Sequence, residues 1–95
     1  MPSLSWSDEA TRALQQIYHF LAIRDEALAK RAVRAIQADA RKLKTFPYLG
    51  HPVAGSAEMR ELTVSFGRNG YVMQYSVESG VVLICGVRPQ RVPGW

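Results

Sequence analysis

Apolar residues recur at two periods along this 95-residue chain, and the change of period divides it in two. Ala10, Ala13, Leu14, Ile17 and Leu21 follow helical spacing, and Phe20 widens their face. Ser7 stands before them as an N-cap. Asp8 and Glu9 fall in the first turn, where the helix dipole favours acids. This predicts a helix over residues 8–23. Arg24 and Asp25 interrupt it, and Asp25 can cap a second helix that runs to about residue 44. Leu28, Ala32, Ala35, Ile36 and Leu43 form the second buried stripe. So short a break predicts an antiparallel helical hairpin.

Beyond residue 44 the helical period stops. Residues 45–57, TFPYLGHPVAGSA, carry two prolines and two glycines and read as a loop. Phe46 and Tyr48 are expected to pin that loop to the core, and His51 reads as a loop residue. From Met59 the period becomes two. Arg60, Leu62, Val64 and Phe66 point one way, and Glu61, Thr63 and Ser65 the other. Asn69-Gly70 signals a hairpin. Tyr71, Met73, Tyr75 and Val77 then share a face, expected to lie beneath the helices. Ser79-Gly80 turns the chain again, and residues 81–87 are apolar on both faces, as in a central strand. Arg88-Pro89 ends the run, since proline cannot donate to a ladder. Residues 2–6 are a candidate opening strand. The expected architecture is α+β, one domain over residues 1–95. An N-terminal helical hairpin packs on a 3–4-stranded antiparallel sheet.

Composition adds bounds. Apolar residues make 47% and charged residues 21% of the chain, a globular balance. No apolar run nears the ~20 residues of a membrane span. The opening MPSLSWSDEA lacks the basic-then-apolar order of a signal peptide, so a cytoplasmic location is expected. The net charge of +4 favours an acidic partner. Lys30, Arg34, Gln37, Arg41 and Lys44 recur at steps of 4, 3, 4 and 3, which lines one helix face. That face is either simply solvated or a contact for such a partner. Cys85, in VVLICGV, reads as a buried small hydrophobe. One cysteine and two distant histidines, His19 and His51, make no zinc ligand set, and no cofactor is expected.

The order of pieces resembles the RelE/ParE toxin superfamily of type II toxin–antitoxin systems. The carrying residues are W-S-D-E-A, A-L-Q-Q-I-Y-H-F-L and K-L-K-T-F-P-Y-L-G-H-P in the first half. M-R-E-L, G-Y-V-M-Q-Y-S-V and G-V-V-L-I-C-G-V-R-P-Q-R follow in the sheet. The resemblance implies a small basic toxin neutralised by a cognate acidic antitoxin in a hetero-oligomer. Two targets are implied: DNA gyrase for ParE-like members, and ribosome-bound mRNA for RelE-like nucleases.

The chemistry separates the two. Metal-free attack by a 2′-OH needs a base, charge stabilisation on the phosphorane and a proton donor. RelE-like members meet this with lysines and arginines on the sheet and a tyrosine near the C-terminus. Here Val72 stands where a basic residue is expected, Leu62 and Thr63 where further lysine is expected, and no tyrosine follows Tyr75. Trp95 stands near where a terminal aromatic falls in such nucleases. If the chain were RelE-like, Arg60, Arg88 and Arg91 would carry catalysis. The ParE-like reading is favoured, although Arg88-Pro89 replaces the histidine that ends the last strand in many such chains. Partner-binding residues are then expected at Arg60, Arg88, Arg91, Lys30, Arg34 and Arg41. Arg60 has a second reading, as a strand residue that snorkels over the core edge to Glu58 or Glu78.

Overall fold

The structure, a computed structural model, describes residues 3–90. Arg91 and Trp95 therefore lie outside the described residues. The chain runs β1 (Ser3–Trp6), α1 (Asp8–Ala22), α2 (Glu26–Lys42), β2 (His51–Pro52), β3 (Met59–Val64), β4 (Tyr71–Glu78) and β5 (Val81–Pro89).

Both helix starts follow from their caps. The Ser7 hydroxyl accepts from Ala10 N at 3.0 Å, and the Asp25 carboxylate from Leu28 N at 3.1 Å. Each helix turns its apolar stripe to the sheet. Ile17 from α1, and Ala32, Ile36 and Ala40 from α2, meet Val64, Met73, Tyr75, Val82, Ile84 and Val87. Leu43 closes the far end of this core. The small residues at positions 32 and 40 leave room for the large sheet residues, chiefly Tyr75 and Met73, both fully buried. The meander β3–β4–β5 forms as expected, with Tyr71, Met73 and Tyr75 beneath the helices.

The sheet has five strands in the order β1-β5-β4-β3-β2, where three or four all-antiparallel strands were expected. Two additions account for this. β1 joins β5 in parallel, with Leu4 beside Val82 and Trp6 beside Ile84. That register brings the two apolar residues of a four-residue strand against the core. β5 is thereby hydrogen-bonded along both edges, the inner-strand position that its apolar run predicts. β2 is two residues long, His51 opposite Glu61 and Pro52 opposite Arg60, and lies within the stretch expected to be loop. Its proline sits on an edge strand, where a missing donor costs least.

Between β4 and β5 the register shifts. Gln74 faces Gly86, but Tyr75 faces Ile84, so Cys85 is an extra residue in a bulge. Cys85 is accordingly only partly buried, and its Sγ meets the Leu83 carbonyl at 3.4 Å. Ser7 ties α1 to this bulge: its N–H donates to the Ile84 carbonyl at 2.9 Å and its hydroxyl to the Cys85 carbonyl at 3.4 Å. The bulge reverses the alternation of β5. Val82 and Ile84 face the helices, then Val87 does, and Arg88 passes to the opposite, open face.

The loop after α2 also differs from expectation. Phe46 and Tyr48 do not pin it to the core; they are 61% and 66% exposed. Tyr75 anchors the loop from beneath instead. Its hydroxyl donates to the Pro47 carbonyl and accepts from Gly50 N, each at 2.9 Å. Gly50 is packed so closely that a Cβ there would lie 2.8 Å from the Tyr75 hydroxyl.

Candidate partner-binding surfaces

The expected basic residues do not converge on one site. Arg60 lies opposite Tyr75 and so shares the helix-facing side of the sheet, at its edge. Its Nε donates to the Gly50 carbonyl at 2.9 Å, and a second guanidinium nitrogen reaches the Tyr48 carbonyl at 3.5 Å. The guanidinium also lies 5.2 Å from the centre of the Tyr48 ring. These contacts occupy much of its donor fork. Its partners are the loop, not Glu58 or Glu78.

Arg88 lies on the other face. It sits opposite Val72 on β4, on the same face as Gln74 and Glu61 but one cross-strand row away. The Glu61 carboxylate is the centre of this group. It accepts from Gln74 Nε2 at 3.0 Å, faces an Arg88 nitrogen at 3.9 Å, and lies 3.6 Å from His51 Nε2. Glu61 is the sheltered member, at 20% side-chain exposure, whereas Arg88 and His51 are about half and two-thirds exposed. Exposed pairs of this kind contribute about 0–1 kcal/mol, so Arg88 is loosely held. The neighbouring positions on this face are Thr63 and Val72. Strands β3 to β5 thus place Arg88 beside the Glu61 carboxylate here, with no cluster of free cations among the described residues. A phosphate approaching Arg88 would meet Glu61, which disfavours phosphorane stabilisation.

Lys30, Arg34 and Arg41 lie on the exposed face of α2. Lys30 pairs with Glu26 at 3.6 Å. Among the described residues no carboxylate lies within ion-pair reach of Arg34 or Arg41.

A second surface was not foreseen. An apolar groove of about 290 Å³ opens between the helical hairpin and the β3–β4 turn. Phe20, Leu21 and Leu28 line one wall, Phe66, Tyr71 and Pro89 the other, with Arg68 at its rim. Arg24 reaches over Phe20, 5.9 Å from the ring centre. Phe20 remains 52% exposed and Ile23, beside it, 86%. Burial against this wall pushes the Tyr71 phenol above its ordinary value. The glycine-containing turn sets the groove's width. Gly70 has φ +77°, and a Cβ there would collide with the Val64 carbonyl. The missed groove residues are separated by up to 72 positions (17 to 89), so no local spacing announces them.

Residues 4–92 match the family described as ParE toxin of type II toxin-antitoxin system, parDE. A relative from Caulobacter vibrioides, Toxin RelE3, is 38% identical over 88 residues, covering 93% of this chain and 94% of its own. Among solved structures, a chain of the chromosomal ParDE TA system from P. aeruginosa superposes with a TM-score of 0.79. It is 23% identical, with 96% of this chain and 98% of the other covered, and shares the fold.

Proposed function

Because the chain belongs to the ParE toxin family of type II toxin–antitoxin systems, we propose that it arrests growth by binding DNA gyrase in the cytoplasm, and that a cognate acidic antitoxin neutralises it. The observation that carries the gyrase reading is the Glu61 carboxylate at the centre of the open sheet face, paired with Arg88 and His51. A surface for metal-free RNA cleavage needs cations there. The chain has Thr63, Val72 and Gln74 instead.

For the antitoxin, the groove of Phe20, Leu28, Phe66 and Tyr71 suits the apolar side of an extended or helical segment. Acidic residues on that segment would meet Arg68 and Arg24 at the groove, and Arg34 or Arg88 beyond it. Arg91 belongs to the same proposed basic set.

The test of the target is the gyrase–DNA cleavage complex. Purified toxin added to gyrase holoenzyme and supercoiled plasmid should yield protein-linked linear DNA, and pre-incubation with antitoxin should abolish it. The absence of both linear DNA and any loss of supercoiling would refute the gyrase reading.

The relative bearing a RelE name favours a second reading, ribosome-dependent cleavage of mRNA. Primer extension on a translated message decides it. Cuts at A-site codons that vanish in Arg88→Ala would establish it, and an uncut message would exclude it. A third reading, a homologue that keeps only antitoxin binding, requires that expression without antitoxin leave growth unchanged.

A further inference from the structure

The loop after α2 presents three of the six large apolar side chains that the described residues expose. Phe46, Tyr48 and Leu49 are 61%, 66% and 50% exposed within four positions. Their backbone is nonetheless firmly held. Phe46 N donates to the Lys42 carbonyl at 2.8 Å and Leu49 N to the Phe46 carbonyl at 3.1 Å. Buried Tyr75 grips Pro47 and Gly50, and Arg60 grips Gly50 and Tyr48. Loops are usually fixed by the side chains they bury. This one is fixed through its backbone while its own apolar side chains face solvent. A preordered apolar tip loses little freedom on binding, which is what a docking element requires.

The flanking charge selects the occupant. Arg41 and Lys44 are exposed at the end of α2, beside the tip. Lys42 is held by Asp39 at 3.0 Å, but among the described residues no carboxylate reaches Arg41 or Lys44. A second copy would bring like charges together across a two-fold contact. Nucleic acid would use open aromatic faces. Here the Arg60 guanidinium covers one face of Tyr48, so Phe46 is left as the single uncovered ring of the tip, short of a stacking platform.

We propose that Phe46, Tyr48 and Leu49, flanked by Arg41 and Lys44, form the surface by which the toxin docks on its target protein, an acidic surface with a shallow apolar depression. The proposal rests on the gyrase reading for the target's identity. The loop shares no residue with the apolar groove assigned to the antitoxin, so antitoxin contact and target contact separate on the molecule.

The experiment compares the parent toxin with the triple variant Phe46→Ser/Tyr48→Ser/Leu49→Ser and with Arg41→Glu/Lys44→Glu. The second variant lies on the helix surface and serves if the first fails to fold. Each is measured for thermal melting and for binding to purified gyrase holoenzyme. Variants that melt with the parent but bind gyrase at least about tenfold more weakly support the docking surface. Equal binding by both variants overturns it and leaves the gyrase reading intact. If the parent itself binds no gyrase, the gyrase reading fails, and growth arrest after induction decides the loop. Arrest lost in the variants keeps the docking surface for another target, and unchanged arrest overturns it. Loss of binding to a single-stranded oligonucleotide held by the parent, with gyrase binding kept, also overturns it in favour of nucleic acid.

Discussion

Tyr75 illustrates how one atom organises a region. Its ring fills the core and its hydroxyl meets two backbone groups of the loop 25 and 28 residues away in sequence. Tyr75→Phe keeps the ring and orphans both partners, at a cost of about 1–3 kcal/mol in urea unfolding. A loss under half of that would show that water replaces the hydroxyl. Tyr71 gives a pH signature. Burial raises its pKa in the folded state, so the unfolded chain releases the phenolic proton first. Stability is fully present below the unfolded value and falls as pH climbs past about 10. Tyr71→Phe should remove that alkaline slope in melts between neutral and strongly basic pH, and an unchanged slope would reassign it. Arg88 holds a carboxylate at 3.9 Å and is half exposed, so it can exchange that partner for another. Replacing both Arg88 and Arg91 with alanine should weaken antitoxin affinity or toxicity; parental values for both would refute their role.

At the scale of elements, the two helices and the three-strand meander were legible because each carries its own period and its own cap or turn. Ser7, Asp25 and Asn69-Gly70 are local signals, and the structure uses them. What was not legible is non-local. β2 is two residues long and exists only because β3 offers an edge. The parallel partnership of β1 with β5 joins residues nearly 80 positions apart. The bulge at Cys85 has no composition signal, yet it decides that Val87 goes inward and Arg88 outward. Strict alternation from Val82 and Ile84 would have put Arg88 with Arg60. The two arginines lie on opposite faces instead, so the partner-binding residues expected on the sheet are divided between them. Ser7→Ala tests the link between cap and bulge. It should cost about 1 kcal/mol or somewhat more, since the hydroxyl serves both Ala10 N and the Cys85 carbonyl. Hydrogen exchange at Gly86 and Val87 should quicken in the same variant, and unchanged exchange there would confine the effect to the helix.

The whole molecule is a helical hairpin over a five-stranded sheet, with an apolar groove at one margin and a preordered apolar loop elsewhere. In the described residues no helix is long and apolar enough to cross a membrane. The excess positive charge is distributed over α2 and the sheet margin, so antitoxin affinity should weaken as salt rises from ~0.05 M to ~0.5 M, where screening shortens to a few ångströms. A salt-independent affinity would mean that the groove alone carries the complex. The proposal that the target is gyrase rests on the sheet face, where Glu61 pairs with Arg88 and strands β3–β5 hold no cluster of cations. Gyrase supercoiling of relaxed plasmid by holoenzyme, titrated with purified toxin, measures that conclusion most directly. Inhibition that rises with toxin and is reversed by stoichiometric antitoxin is the expected result. Undiminished supercoiling at toxin concentrations that still cut translated mRNA would contradict it.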